Sequence, residues 1–487
     1  MIVLSHQPKS YREFKKVLTY AFENSADIIE VRGEKLNEKE LIKILKDKSI
    51  NKIFTFRVNQ FSPIKLKECS KKYLLALEHE VEYIDIDGSL GKNFINKLKK
   101  NNKSTKFIIS YHNFEKTPKL KNLIQILEYL LNLSADIYKI STYANLFVDN
   151  YLILKLIEYA KKRKVQLIAH CMGELGKAGR YLAYQRGSLF FYTSYNDKIT
   201  APGQIQLHIA NKLFNVRNLK PSTKVFGIIG NPLKQSKSWL FHNYAYRVTK
   251  TNAIYLNFLI DDVWEFFTLF KQYLDGLSVT IPFKEKILHL PNLSSQIIKK
   301  IGSANTILLK DEKPILFNTD FLGFKEFIRK NKKLQNSKVL VIGAGGSARS
   351  IIFALQKFNN DIYITNRTIN RARKLSDEMG INFIYAKGVN SHKFDIVINT
   401  TPGNNPFMLK LVNKIFGSQK IKLVVDLDLQ ITNSKLLNLC KTKKIKTING
   451  LEFFVNQAIH QFKIFTGKSI PIRKVRKFLL ENYELIF

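Results

Sequence analysis

The chain has 487 residues, more than one ordinary hydrophobic core accommodates, and such a length implies roughly two to four domains. Its 79 Lys and Arg against 39 Asp and Glu give a formal charge of +40, which admits an anionic partner. The lysines are nevertheless spread along helical stretches such as KNFINKLKKNNK and KLIEYAKKRKVQ, without a basic arm or aromatic-interleaved stripe, so neither nucleic acid nor a membrane is expected as a partner.

The first residues, MIVLSHQPKS, form a strand-like run with no secretory or transit pattern, and the chain is expected to begin at its first domain. Lys, Asn or Asp interrupts every apolar stretch before the ~18–20 residues a spanning helix needs. Cys69, Cys171 and Cys440 lie far apart, with no CxxC or Cys/His cluster. That spacing argues against a disulfide framework or a metal site and implies a reducing, cytoplasmic setting.

From residue 1 to 215, β-rich runs alternate with amphipathic helical stretches: IVLS (2 to 5), IIEVR (28 to 32), IFTFR (53 to 57), VEYID (81 to 85), FIISY (107 to 111), IYKI (137 to 140), QLIA (166 to 169) and LFFYT (189 to 193). Eight strands alternating with helices predict a (β/α)8 TIM barrel, with its chemistry at the C-terminal strand ends. Lys139 is predicted to end the sixth strand and to share the barrel-lining face with Ile137. A desolvated lysine deprotonates more readily and attacks a ketone to form an imine. His112 is predicted to end the neighbouring fifth strand, within reach of a substrate held on Lys139. Glu30 and Arg32 project together from the second strand, and Arg57 is predicted to end the third.

With these groups at one barrel mouth, residues 1 to about 215 resemble a type I 3-dehydroquinate dehydratase. The phrases are EVR at Glu30–Arg32, SYHNFEKTP around His112, ADIYKI around Lys139, CMGELGKAGR ending in Arg180, and TAPGQ from Thr200 to Gln204. The resemblance implies that Lys139 forms an imine with the substrate ketone and that His112 removes the acidified proton and returns one to the departing hydroxyl. It further implies that Glu30, Arg32, Arg57, Arg180, Thr200 and Gln204 hold the ring hydroxyls and the carboxylate. Departures are Asn113 for the usual Asp, Thr200 for Ser, and RVNQFSP after Arg57 in place of a Glu-Gly-Gly loop.

The polar passage NVRNLKPSTK (215 to 224) reads as a linker to a new strand, VFGIIGNP. Beyond it, Ser236 and Ser238 stand two apart, Lys284 follows Thr280 by four residues, and NTDFLGF supplies Asp320; an ammonium beside a carboxylate is a proton-handling pair for a ketone receiving hydride. VLVIG runs into GAGGSAR, where Gly343, Ala344, Gly345, Gly346 and Ser347 form a turn opening a helix, suited to a pyrophosphate. The next strand ends in Asn366, Arg367 and Thr368 with no acid, and Arg371 follows one turn later, a pattern that favours a 2′-phosphate and hence NADP.

In their order, GNPLKQSKS, SVTIPFKE, GSANT, NTDFLGF, GAGGSAR, NRT and NGLEFFVNQA make residues 224 to 487 similar to a shikimate dehydrogenase. The resemblance implies that Ser236, Ser238, Thr280, Asn305, Asp320 and Gln457 bind substrate and that Lys284 and Asp320 are the catalytic pair. It places Gly450 near the nicotinamide, and Thr400 and Thr401 near the cofactor. Ser278 stands where Asn is frequent, and Leu429 where a substrate-contacting Tyr is usual, at the cost of one hydrogen bond. The expected organisation is a dehydratase barrel (1–218), a substrate-binding domain (222–330, completed by 451–487) and a Rossmann-like NADP-binding domain (331–450), converting 3-dehydroquinate to 3-dehydroshikimate and on to shikimate. Two rivals stay open: a quinate/shikimate dehydrogenase of altered preference, and a non-catalytic, basic nucleic-acid-binding protein that has kept the folds. Oligomeric state is not readable.

Overall fold

A computed structural model describes residues 1–57, 62–233, 236–291, 293–429 and 434–482. Most of the segment expected to differ after Arg57, residues 58–61, lies outside the described residues. By internal contacts the chain divides into two compact units, Met1–Thr223 with Thr268–Phe270, and Lys224–Phe267 with Lys271 onward.

In the first unit, β1 (Ile2–His6), β2 (Ile28–Arg32), β3 (Asn51–Thr55), β4 (Tyr83–Asp87), β5 (Lys106–His112), β6 (Ile137–Tyr143), β7 (Leu167–Met172), β8 (Phe191–Ser194) and β9 (Ile205–Gln206) form one curled sheet in the order β7-β6-β5-β4-β3-β2-β1-β8-β9. Every ladder in it is parallel. Curling brings β7 beside the approach to β8, where the Leu189 N–H donates to the Leu167 carbonyl at 3.0 Å. Inside, each of β1 to β8 contributes one large side chain to a single packed cluster: Val3, Ile28, Ile53, Tyr83, Ile108, Ile137, Ile168 and Tyr192. Period two then fixes what stands one layer nearer the C-terminal mouth, namely Ser5, Glu30, Thr55, Asp85, Ser110, Lys139, His170 and Ser194, all buried.

Of the strand ends that differ from the sequence expectation, three bear on the site. β3 stops at Thr55, two residues before Arg57, because the next two amide N–H groups go to side chains: Phe56 to the Tyr73 hydroxyl (3.2 Å) and Arg57 to Glu34 (2.8 Å). Lys139 lies inside β6 and does not end it, since Ser141 pairs with His112 and Tyr143 with Met172 beyond it. β7 runs on to Met172, past the predicted end, and so carries His170.

The second unit holds two sheets. Strands β10 (Lys224–Gly230), β11 (Ala253–Leu259), β12 (Gly276–Val279), β13 (Leu293–Ser294), β14 (Thr306–Lys310) and β15 (Lys313–Phe317) form a mixed sheet in the order β11-β10-β12-β14-β15-β13. Strands β16 (Lys338–Ile342), β17 (Asp361–Thr365), β18 (Asn382–Phe383), β19 (Ile396–Asn399), β20 (Leu423–Asp426) and β21 (Lys446–Ile448) form a parallel sheet in the order β18-β17-β16-β19-β20-β21, that of a doubly wound dinucleotide fold. The apolar run KVLVI explains the centre: Val339 and Val341 pack into one core with Ile351 and Ile352, while Leu340 and Ile342 pack into another with Met408 and Val412. All three cysteines are buried and unpaired, and among the described residues no helix is long and apolar enough to cross a membrane.

Candidate active sites

The barrel mouth encloses a cavity of about 470 Å³ lined by Glu30, Arg32, Arg57, His112, Lys139, Arg180, Thr200 and Gln204, which brings together all eight residues expected there. Asp87, Ser141, His170 and Tyr192 also line it. Lys139, 4% exposed, donates to Asp85 Oδ2 at 2.8 Å, lies 3.8 Å from Glu30 Oε1, and sits over the Tyr192 ring at 4.2 Å. The desolvation expected of a barrel lysine is thus met by counter-groups. Arg57 binds the other oxygen of Asp85 at 2.9 Å and Ser110 Oγ at 2.8 Å. Burial alone would raise the Asp85 pKa, but the Arg57 and Lys139 cations outweigh it and hold the carboxyl well below the usual range.

Burial, reinforced by the Arg57 and Lys139 charges, pushes the His112 imidazole well below its ordinary range, so it is neutral near pH 7 and able to accept a proton. Its Nε2 lies 3.4 Å from Arg57 Nη2, and its Nδ1 lies 4.0 Å from Asp87 Oδ2. Arg180 is the group most in need of a ligand: 3% exposed, it donates from Nη2 to the Pro202 carbonyl (3.1 Å), has no carboxylate partner among the described residues, and burial pushes its pKa down to about 10. Arg32 is aimed by two bonds to Glu34 Oε1, at 3.0 and 2.8 Å. Thr200 and Gln204 interlock, the Thr200 N–H donating to Gln204 Oε1 at 2.8 Å and Thr200 Oγ1 lying 2.5 Å from Ser5 Oγ.

Asp85 and Glu34 were not singled out from sequence. For Asp85 the signal was present, since YIDID places Asp85 two residues after the inward Tyr83.

The second unit has a cavity of about 310 Å³ lined by Ser236, Ser238, Ser278, Thr280, Lys284, Asn305, Asp320, Ser347, Thr400, Thr401, Leu429, Gly450 and Gln457. Lys284 Nζ donates to Asp320 Oδ2 at 2.6 Å and to Ser347 Oγ at 2.9 Å. Asn305 Nδ2 holds the other Asp320 oxygen at 2.9 Å, and Gln457 Oε1 accepts from Thr319 Oγ1 at 3.1 Å. Ser278 Oγ donates to Gln461 Oε1 at 2.6 Å and accepts from the Tyr255 hydroxyl, so its small side chain is tied into the wall. Leu429 presents an apolar side chain to this cavity.

The glycine turn follows β16, whose neighbours β17 and β19 lie on opposite sides, the switch point where such sheets bind ligands. Gly343 has φ +114°, and a Cβ there would lie 2.3 Å from Thr400 Oγ1. A Cβ on Gly346 would lie 2.8 Å from the Lys284 side chain, so glycine lets the helix Gly346–Leu355 approach the ammonium. Asn366, Arg367 and Thr368 follow β17, with Asn366 Nδ2 donating to the Thr368 carbonyl at 3.1 Å. Arg367 and Arg371 are exposed and make no ion pair among the described residues. Ala344 packs against the core below the turn.

The model for type I 3-dehydroquinase matches residues 6–221. Those for the shikimate dehydrogenase substrate-binding domain, shikimate/quinate 5-dehydrogenase and the shikimate 5′-dehydrogenase C-terminal domain match 228–307, 326–431 and 450–480. A chloroplastic bifunctional 3-dehydroquinate dehydratase/shikimate dehydrogenase of Arabidopsis thaliana is 31% identical over 482 residues, 93% of this chain and 79% of the relative. The chain belongs to the bifunctional 3-dehydroquinate dehydratase/shikimate dehydrogenase family. The shikimate biosynthesis protein AroDE of Chlamydia pneumoniae is 29% identical over 450 residues, 90% of each chain. A shikimate dehydrogenase (NADP(+)) of Dictyoglomus thermophilum is 36% identical over 270 residues, 53% of this chain and 98% of the relative. The dehydratase half thus coincides with the curled sheet and the dehydrogenase half with the two-sheet unit.

Proposed function

We propose that the chain carries out two consecutive steps of the shikimate pathway, dehydrating 3-dehydroquinate in the barrel and reducing the product with NADPH in the second unit. The observation that carries this reading is the pairing, in one chain, of a barrel-buried lysine beside a neutral imidazole with a Lys284–Asp320 pair at the mouth of a dinucleotide fold.

In the barrel, Lys139 attacks the ring ketone and becomes an iminium, which acidifies the adjacent C–H; His112 takes that proton and returns it to the departing hydroxyl. Arg180, buried with no carboxylate partner among the described residues, receives the carboxylate, while Glu30, Arg32, Arg57, Thr200 and Gln204 hold the ring hydroxyls. In the second unit, Ser236 and Ser238 take the carboxylate and Thr280, Asn305 and Gln457 the hydroxyls. Lys284 with Asp320 hands a proton to the oxygen of the ketone that gains hydride from NADPH. The cofactor fits the residues present: Gly343 to Ser347 open a helix suited to a pyrophosphate, and Arg367 and Arg371, without an ion pair among the described residues, would take a 2′-phosphate. Domain limits of 1–218, 222–330 with 451–487, and 331–450 follow this division. The buried, unpaired cysteines support a reducing compartment such as the cytoplasm.

Feeding 3-dehydroquinate to the pure protein tests the order of the steps. Without NADPH, 3-dehydroshikimate accumulates; with NADPH, shikimate does. Preference for quinate and NAD over shikimate and NADP would overturn the assignment of the second step. Joint replacement of Arg367 and Arg371 by Ala is expected to raise the KM for NADPH by about 10–100-fold, the size of lost charge-assisted hydrogen bonds. Steady-state kinetics should show little change with NADH, and an equal loss with both cofactors would count against a 2′-phosphate clamp.

A further inference from the structure

An ammonium and a ketone condense as R–NH3⁺ + O=C → R–NH⁺=C + H2O, so both hydrogens of the water begin on nitrogen. In the intermediate carbinolamine, nitrogen and oxygen share one carbon and cannot pass a proton in a straight line. Each transfer therefore needs a relay that accepts at one atom and donates from another, as a neutral imidazole does.

His170 on β7 is 7% exposed and lines the same cavity as Lys139 and His112. The ladders put His112, Ser141 and His170 in one row across β5, β6 and β7, and Ser141 follows Lys139 by two residues, on the same face. His112 and His170 thus flank Lys139 from opposite neighbouring strands. His112 turns its Nε2 toward Arg57, whereas His170 Nε2 lies 3.3 Å from Ser141 Oγ. Tyr192 on β8 completes the His170 side: Lys139 Nζ lies 4.2 Å from its ring centroid, the His170 ring lies 6.2 Å from it, and its buried hydroxyl has no partner among the described residues. Burial, with the Arg180 and Lys139 charges, holds the His170 imidazole well below its usual range and therefore neutral.

We propose that His170, supported by Ser141, is a second catalytic residue of the dehydratase, carrying protons between the Lys139 nitrogen and the substrate's ketone oxygen as the imine forms and is hydrolysed. The inference rests on the imine at Lys139. His170 first takes one proton from the ammonium, the freed nitrogen lone pair forms the N–C bond as the carbonyl π pair moves onto oxygen, and the imidazolium hands that proton to the oxygen. A second passage makes the oxygen a water, the C–O bond breaks, and the nitrogen lone pair completes the iminium. The charge is +1 on both sides, and His112 stays free for the carbon-bound proton.

The test mixes the full-length protein with 3-dehydroquinate, quenches with borohydride at successive times, and follows by mass spectrometry the adducts on Lys139 derived from substrate and, one water lighter, from product. In His170→Met the total adduct is expected to appear on the order of 100-fold more slowly, with conversion of the first adduct to the second unchanged. Adduct appearing at the wild-type rate, or conversion slowed as much as formation, would overturn the proposal. Should His170→Met fail to fold by circular dichroism, His170→Asn and Ser141→Ala are read by the same criteria. A wild-type protein that gives no adduct on Lys139 sinks the imine itself, an outcome distinct from a failed relay.

Discussion

Lys139→Ala is expected to abolish dehydration of 3-dehydroquinate, by at least ~10³-fold, with reduction of 3-dehydroshikimate intact. Among the described residues no other lysine lines the barrel cavity, so no second amine within it can take over the imine. The substitution also removes one of the two cations on Asp85, a carboxylate with no solvent exposure, and a buried charge stripped of a partner costs about 3–5 kcal/mol when nothing replaces it. Arg57 remains, so the loss in thermal stability should be smaller. Lys139→Arg separates the two effects: the guanidinium keeps a charge near Asp85 but cannot form an imine. Both variants should be inactive in dehydration and lack the borohydride adduct, with the Arg variant melting closer to wild type. Residual dehydration in either would refute imine catalysis at this lysine.

Lys284→Ala should act on the other half alone, lowering kcat for reduction of 3-dehydroshikimate by about 10²–10⁴-fold, the usual range for losing a positioned acid. Its ammonium is held at 2.6 Å from Asp320 and 2.9 Å from Ser347, and both partners belong to the second unit. Dehydration assayed without NADPH should stay at the wild-type rate. A fall in dehydration would contradict the division of labour, and an unchanged kcat for reduction would remove Lys284 from the proton-handling role.

The two halves were legible to different depths. Alternating strands and helices, with polar residues at strand ends, exposed the barrel and led to Lys139, His112, Glu30 and Arg32, because period two needs only local sequence. Asp85 stands two residues after the inward Tyr83, but its bonds to Lys139 and Arg57 exist only in the folded barrel, whereas His170 lies beyond the QLIA run that marks β7 in the sequence. Arg57 continues the apolar run IFTFR but lies past the end of β3, where side chains and not a neighbouring strand take the N–H groups of Phe56 and Arg57.

In the second half, KVLVI followed by a glycine turn was readable because both faces of that strand are buried. The antiparallel pairing of β14 with β15 was not. Its two-residue turn is Asp311–Glu312, with φ of +50° and +59°, a conformation usually announced by Asn-Gly or Asp-Gly.

The ring of side chains given one apiece by β1 to β8 has a consequence for traffic. It fills the barrel below Lys139, as packed interiors of this kind do, so the dehydratase cavity is a cul-de-sac. Substrate, released water and product therefore come and go on the C-terminal side of the strands, where Arg32 and Thr200 are only partly buried. Each ring made at Lys139 must leave toward that side before another can reach the lysine.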